Sequence, residues 1–187
     1  MASVDMASAS FGAAALAVAS HFYLSPIPEV STVKLVVAYY ATNIALFLYF
    51  SLYSHSSLSE TIVNSFTLNL VFLTTAVSTT LIRRLFFSPL CRFPGPKLAA
   101  ASKIWAANEF RLGRHSLTVK ELHKKYNSDI VRIGPNEVSI KNVEAVEKIF
   151  KGRYVRGTFY EVGAVNGEFN LNTTRNNNSH AVWRRIW

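Results

Sequence analysis

The sequence predicts a mainly α chain with a small β-hairpin, in which a transmembrane helical anchor precedes a basic part outside the membrane. Three observations predict it. Charge is unevenly split: residues 1–82 carry one basic residue, Lys34, and three acidic ones, Asp5, Glu29 and Glu60, whereas residues 83–187 carry 19 basic and 8 acidic residues, a net of +11. Two long stretches of the first part have no charge at all. The second part alternates short periodic segments with proline and glycine punctuation.

Residues 35–53, LVVAYYATNIALFLYFSLY, are nineteen without a charge, and residues 61–82 are twenty-two. A helix of about 20 apolar residues crosses a hydrocarbon core, so both qualify as spans. The second contains six threonines and two asparagines, whose side chains are expected to bond back to their own helix. Residues 7–24 also lack Lys, Arg and acids but are rich in alanine and include His21. They lack the basic start and clear cleavage site of a signal peptide. A third span and a loosely interfacial helix both fit them.

Orientation follows from the flanks. Arg83 and Arg84 follow the last span directly, with Arg92 and Lys97 close behind, and basic flanks stay in the cytoplasm. Lys34 puts the start of the preceding span on the same side. Residues 54–60 then form a short luminal loop, and the sequons at Asn172 and Asn177 face the cytosol and stay unglycosylated. Tyr39, Tyr40, Tyr49 and Tyr53 suit either interfacial anchoring or packing within the span. The basic pI of about 9.9 comes without a helix-turn-helix, zinc-finger or RNA-recognition signature, so no nucleic-acid partner is expected. A single cysteine, Cys91, excludes an intrachain disulfide and a thiolate metal cluster.

Outside the membrane, Phe93-Pro94-Gly95-Pro96 removes two amide donors and fixes two φ angles, which makes a stiff elbow. Residues 97–114 are helical in places and end at Gly113. Thr118 and Glu121 match a capping box, predicting a helix over 117–126 that stops near Asn127. Residues 129–133 and 137–140 read as two strands about Gly134-Pro135-Asn136, with Val131 and Ile133 on one face. Asn142 caps a helix whose Val143, Val146 and Phe150 form a stripe, and Lys151-Gly152 closes it. Residues 157–178 read as one long loop of the kind that serves as a lid or binding loop. Ser179 starts a last helix, residues 180–187.

The order of these pieces resembles the start of a microsomal cytochrome P-450. The resemblance lies in the hydrophobic anchor, Phe93-Pro94-Gly95-Pro96-Lys97, the helix ending His123-Lys124-Lys125-Tyr126, and the hairpin wording Arg132-Ile133-Gly134-Pro135-Asn136-Glu137, which is most like fungal members. Gly163 to Asn172, followed by His180-Ala181-Val182-Trp183-Arg184, is similar to the family's loop and following helix near the haem. The likeness covers residues 85–187. It implies an incomplete cytochrome P-450 fold, divided as a membrane anchor at 1–84, a proline-rich hinge at 85–97 and the first part of the catalytic domain at 98–187.

The same resemblance implies haem as cofactor, with His180, Arg184 and Trp183 as its contacts. His180 and Arg184, at i and i+4, lie on one helix face, and a guanidinium grips a carboxylate with two prongs. A solvated basic face is the alternative reading of the same residues. Also implied are a small lipophilic substrate, a flavoprotein reductase, and residence in the endoplasmic reticulum membrane with the C-terminal part cytosolic. The family's cysteine iron ligand, its acidic-residue–threonine element and its Glu-x-x-Arg pair have no match here, and Cys91 lies beside the membrane instead. The expectation is therefore a monooxygenase front that is inactive alone, loosely folded outside its anchor and without stoichiometric haem. The competing expectation is a non-catalytic small membrane protein whose basic segment binds lipid or a partner. The anchor departs from the family's usual single span.

Overall fold

The computed structural model describes residues 5–27, 30–53, 57–152, 154–155, 157, 160, 164 and 168–186. They are mainly helical with one two-stranded antiparallel sheet. The chain forms two compact units. One comprises Met1–Arg92, Pro96–Trp105 and Gly134–Asn136, and the other Phe93–Gly95, Ala106–Ile133 and Glu137–Trp187.

In the first unit α1 (Met6–Leu24), α2 (Thr32–Leu48) and α3 (Leu58–Ile82) are the long apolar helices. Each has an oxygen-bearing cap. Asp5 accepts from the Ala7 amide, Ser31 from Lys34, and Ser57 from Glu60, whose carboxylate accepts from the Ser57 amide in return. Helices α2 and α3 continue as π-helical turns, Tyr49–Tyr53 and Arg83–Phe87. All three are long and apolar enough to cross a membrane. Their hydroxyls turn inward on the helix as expected: Thr42, Thr67, Thr74 and Thr80 each donate to the carbonyl four residues back, at 2.6–2.8 Å.

Side chains also bond between these helices. The Tyr39 hydroxyl donates to Asn69 Oδ1 at 2.8 Å. Asn69 Nδ2 donates to Asn43 Oδ1 and to the Ser65 carbonyl, and Asn43 Nδ2 donates to the Tyr39 carbonyl. That closes a ring of polar atoms between α2 and α3, and it assigns Tyr39 to packing. Between α1 and α3, His21 Nδ1 lies 3.1 Å from Thr80 Oγ1. Thr80's single hydroxyl hydrogen points to the Ala76 carbonyl, so its oxygen accepts from the imidazole. Ala17 and Thr61 are fully enclosed in this unit.

The second unit is built around β1 (Ile130–Gly134), β2 (Glu137–Ile140) and α6 (His115–Tyr126). Between the apolar helices and α6 the chain forms α4 (Lys97–Ala101) and α5 (Ile104–Arg111), and Gly113, with φ +66°, ends the latter as the sequence indicates. Asn127 closes α6 in the left-handed conformation, φ 44°. Asn142 accepts from the Ala145 amide and caps α7 (Val143–Lys151), as read. Gly152 ends α7 in an extended conformation.

Two expectations are corrected. Thr118 does not cap a helix: α6 begins at His115 with no side-chain cap, because the Thr118 hydroxyl is taken by Glu109 Oε2 at 2.7 Å. Ser179 does not start the last helix either. Asn176 Oδ1 accepts from the amides of Asn178 and Ser179, so α8 (Asn177–Ile186) begins two residues earlier. The stripe on α7 lies open, with Val143 86% and Val146 41% exposed; the side chain of Phe150 lies outside the described residues. On β1, Arg132 is buried along with Val131. The elbow explains this. Arg132 N donates to the Pro94 carbonyl at 2.7 Å, so the elbow lies along the edge of β1 that β2 leaves open. At Gly95 an added Cβ would sit 2.2 Å from the Arg132 oxygen, an approach that only glycine permits.

Candidate functional site

The three residues singled out by the sequence all lie on α8. At 3.6 residues per turn His180, Trp183 and Arg184 fall within about 100° of arc. His180 and Trp183 are half-buried, and Arg184 is exposed. The spacing thus brings the imidazole, indole and guanidinium to one face, while Val182 and Ile186 stand exposed on the other side. Such a face can offer charge-assisted hydrogen bonds to a carboxylate or another acid group.

The approach to α8 is ordered by asparagine and threonine. Asn170 Oδ1 accepts from the Asn172 and Thr173 amides at 2.8 and 3.1 Å, and Thr173 Oγ1 accepts from the Asn170 amide at 2.7 Å. These Asx-type turns bury Thr173 and Thr174. Of the loop read over 157–178, residues 158, 159, 161–163 and 165–167 lie outside the described residues, among them Gly163, Val165, Asn166 and Gly167 of the family-like segment; so does Trp187.

Three buried polar sites had no role in the sequence reading. Glu109, on α5, accepts two hydrogen bonds from Arg114, at 2.9 and 3.1 Å, besides the one from Thr118. The Arg114 bond first, and then Thr118, hold its carboxyl below the ordinary value of 4.5. His123 is buried between the Ser128 carbonyl, 2.7 Å from Nδ1, and Ser139 Oγ, 2.9 Å from Nε2. Its Nδ1 therefore carries the hydrogen, and it ties the end of α6 to β2. Arg132 is the third. The advance signals were the histidine's place in the His-Lys-Lys-Tyr motif and the arginine's at the head of the hairpin wording Arg132-Ile133-Gly134-Pro135-Asn136-Glu137.

A haem asks for two kinds of contact. Donors to its acid groups fit the α8 face. A thiolate for its iron does not fit: Cys91, the one cysteine, is exposed in the 3₁₀ turn Pro89–Arg92 of the unit that holds the apolar helices.

The chain is 37% identical over 86 residues to the cytochrome P450 monooxygenase poxC of Penicillium oxalicum, covering 43% of this chain and 18% of that one. It is 40% identical over 109 residues to cytochrome P450 67 of Uromyces fabae, covering 56% and 20%. To the cytochrome P450 monooxygenase BOT4 of Botryotinia fuckeliana it is 40% identical over 111 residues, covering 54% and 20%. Over about half of its length the chain is thus similar to fungal cytochrome P450 monooxygenases, consistent with an N-terminal fragment of one. It spans about a fifth of the length of these curated relatives. No family model matches it, and no solved structure does.

Proposed function

We propose that the chain is the N-terminal portion of a membrane-bound cytochrome P-450 monooxygenase, a haem-dependent enzyme that oxidises a small lipophilic substrate with electrons from a flavoprotein reductase. The observation that supports it most is the similarity to fungal cytochrome P450 monooxygenases over roughly half of the chain. In this reading residues 1–84 are the anchor, 85–97 the hinge and 98–187 the start of the catalytic domain. The anchor lies in the endoplasmic reticulum membrane, and the basic part in the cytosol. His180 and Arg184 donate to the haem's acid groups, and Trp183 packs beside them or donates its indole N–H. Haem supplies oxygen activation when bound, and this chain's own share is to orient it by that edge. By itself the chain is inactive.

The test is a chimera in which this chain replaces the matching stretch of the BOT4 protein. We expect haem uptake with a thiolate-type reduced carbon-monoxide spectrum, and at least a tenfold fall in haem affinity for the His180→Ala, Arg184→Ala pair. Full haem retention by that pair refutes the assignment. The chain alone should show no thiolate-type band.

A second reading rests on charge. Lys120, Lys124 and Lys125 are exposed along α6, within a part carrying a net of +11. A non-catalytic protein could use such a face to hold anionic lipid. Membrane association that survives deletion of the apolar helices and falls steeply with salt would favour it.

A further inference from the structure

We infer that α1 is a third membrane crossing, running parallel to α3 and bonded to it within the bilayer, so that the anchor is one three-helix bundle with its N-terminus on the exoplasmic side. The inference rests on the membrane reading above but not on the haem chemistry.

Three independent features carry it. The first is pairing. His21, in the last turn of α1, donates to Thr80, in the last full turn of α3. Contact between the two C-terminal ends requires a parallel pair; an antiparallel α1 would bring His21 beside the capping box at Ser57. Two reversals of chain direction, one between α1 and α2 and one between α2 and α3, restore the direction of α1 in α3. The second is burial. Ala17, one turn before His21, has no exposed surface, whereas Phe11, Phe22 and Tyr23 point away from the bundle and are mostly exposed. An interfacial helix needs one polar, usually basic face and one apolar face. Helix α1 has neither Lys nor Arg and shows apolar residues around most of its circumference, the pattern of a helix wetted by lipid. The third is charge. With three crossings Lys34, Arg83 and Arg84 all flank the cytoplasmic side, while residues 1–5 and 54–57, on the other side, contain no Lys or Arg.

The polar contacts explain how the bundle stays together. In lipid there is no hydrophobic drive between helices, so close packing and interhelical hydrogen bonds hold them. The Tyr39–Asn69–Asn43 ring supplies them for α2 and α3, and His21–Thr80 for α1 and α3. Helix α3 is the shared partner.

Two measurements on the full chain test this. A glycosylation acceptor sequence is appended ahead of Met1, and the chain is translated into microsomes. We expect the tag to be modified while Asn172 and Asn177 are not. An unmodified tag on a chain that resists alkaline extraction overturns the third crossing; a chain released by alkaline extraction overturns the membrane reading instead. In a Cys91→Ser background, His21→Cys with Thr80→Cys should form an intrachain disulfide under mild oxidation. It is read as two fragments held together after cleavage at a protease site inserted between α2 and α3. We expect at least ten times the yield of His21→Cys with Phe66→Cys, because Phe66 is exposed and lies about four helical turns before Thr80 on α3. Equal yields overturn the parallel pairing.

Discussion

Replacing Gly95 with alanine tests whether the elbow is truly fastened to the hairpin. The new Cβ would lie 2.2 Å from the Arg132 oxygen and 3.0 Å from its carbon, more than an ångström inside ordinary contact. No far end of a flexible side chain can yield, because both atoms are backbone. The elbow must retreat, and the 2.7 Å bond from Arg132 N to Pro94 goes with it. Losing that bond costs about 1 kcal/mol, and stranding the partner groups of a buried residue adds about 1–3 kcal/mol, for a total near 2–4 kcal/mol. At 1.4 kcal/mol per tenfold, the Arg132 amide should exchange with solvent roughly 30- to 1,000-fold faster, or reach its unprotected rate if the unit is less stable than that. Hydrogen exchange by mass spectrometry on the chain in lipid nanodiscs reads it directly. Gly113→Ala is the control: nothing lies within 4 Å there, only its φ of +66° is unfavourable, and the cost is about 1 kcal/mol with no effect at Arg132. Unchanged protection of the hairpin in Gly95→Ala would refute the docking.

His123→Ala strips both partners from the Ser128 carbonyl and the Ser139 hydroxyl and should cost about 2–4 kcal/mol, read as loss of exchange protection in β2 and the last turn of α6. Ser139→Ala, which leaves the Nδ1 bond intact, should cost less. The depressed Glu109 carboxyl gives a pH dependence of known sign: its contacts with Arg114 and Thr118 stabilise above the ordinary carboxylate range and are lost as pH falls from 4.5 through the lower folded value. Tryptic cleavage after Arg111 and Arg114, following brief acid exposure and crosslink trapping, should rise below pH 4.5 in the parent chain and be high at every pH in Glu109→Gln. Asn69→Leu removes the hub of the α2–α3 ring and should weaken the pairing by about 1–2 kcal/mol, seen as a reduced yield of a disulfide engineered between those two helices.

The parts of the fold that could be read in advance are those fixed by local chemistry. Charge-free length marks α2 and α3, the Asn142 cap marks α7, and Asn127 and Gly113 mark stops because each adopts a positive φ. The hairpin followed from its turn residues and alternating apolar positions. What escaped depends on partners distant in sequence or on a choice between equivalent caps. Thr118 has a capping-box sequence, but a carboxylate nine residues earlier captures its hydroxyl. Asn176 and Ser179 are both good caps, and only the directions of the Asn178 and Ser179 amides decide between them. The burial of Arg132 needs the elbow beside it, which no local pattern announces. At the candidate site, spacing alone placed His180, Trp183 and Arg184 on one face of α8. Their assignment to haem came from the resemblance, because a donor face on a helix does not name its acid.

The elbow's fastening also sets an order of events during synthesis. Pro94 and Arg132 are thirty-eight positions apart, and ribosomes add about 5–20 residues per second. For roughly two to eight seconds, then, the prolines have been made while the strand edge that receives them has not. Throughout that interval the newborn segment behind the anchor is a tether whose only stiffness is that of its own pyrrolidine rings. Once β1 arrives, the bond from Arg132 N to the Pro94 carbonyl closes the latch.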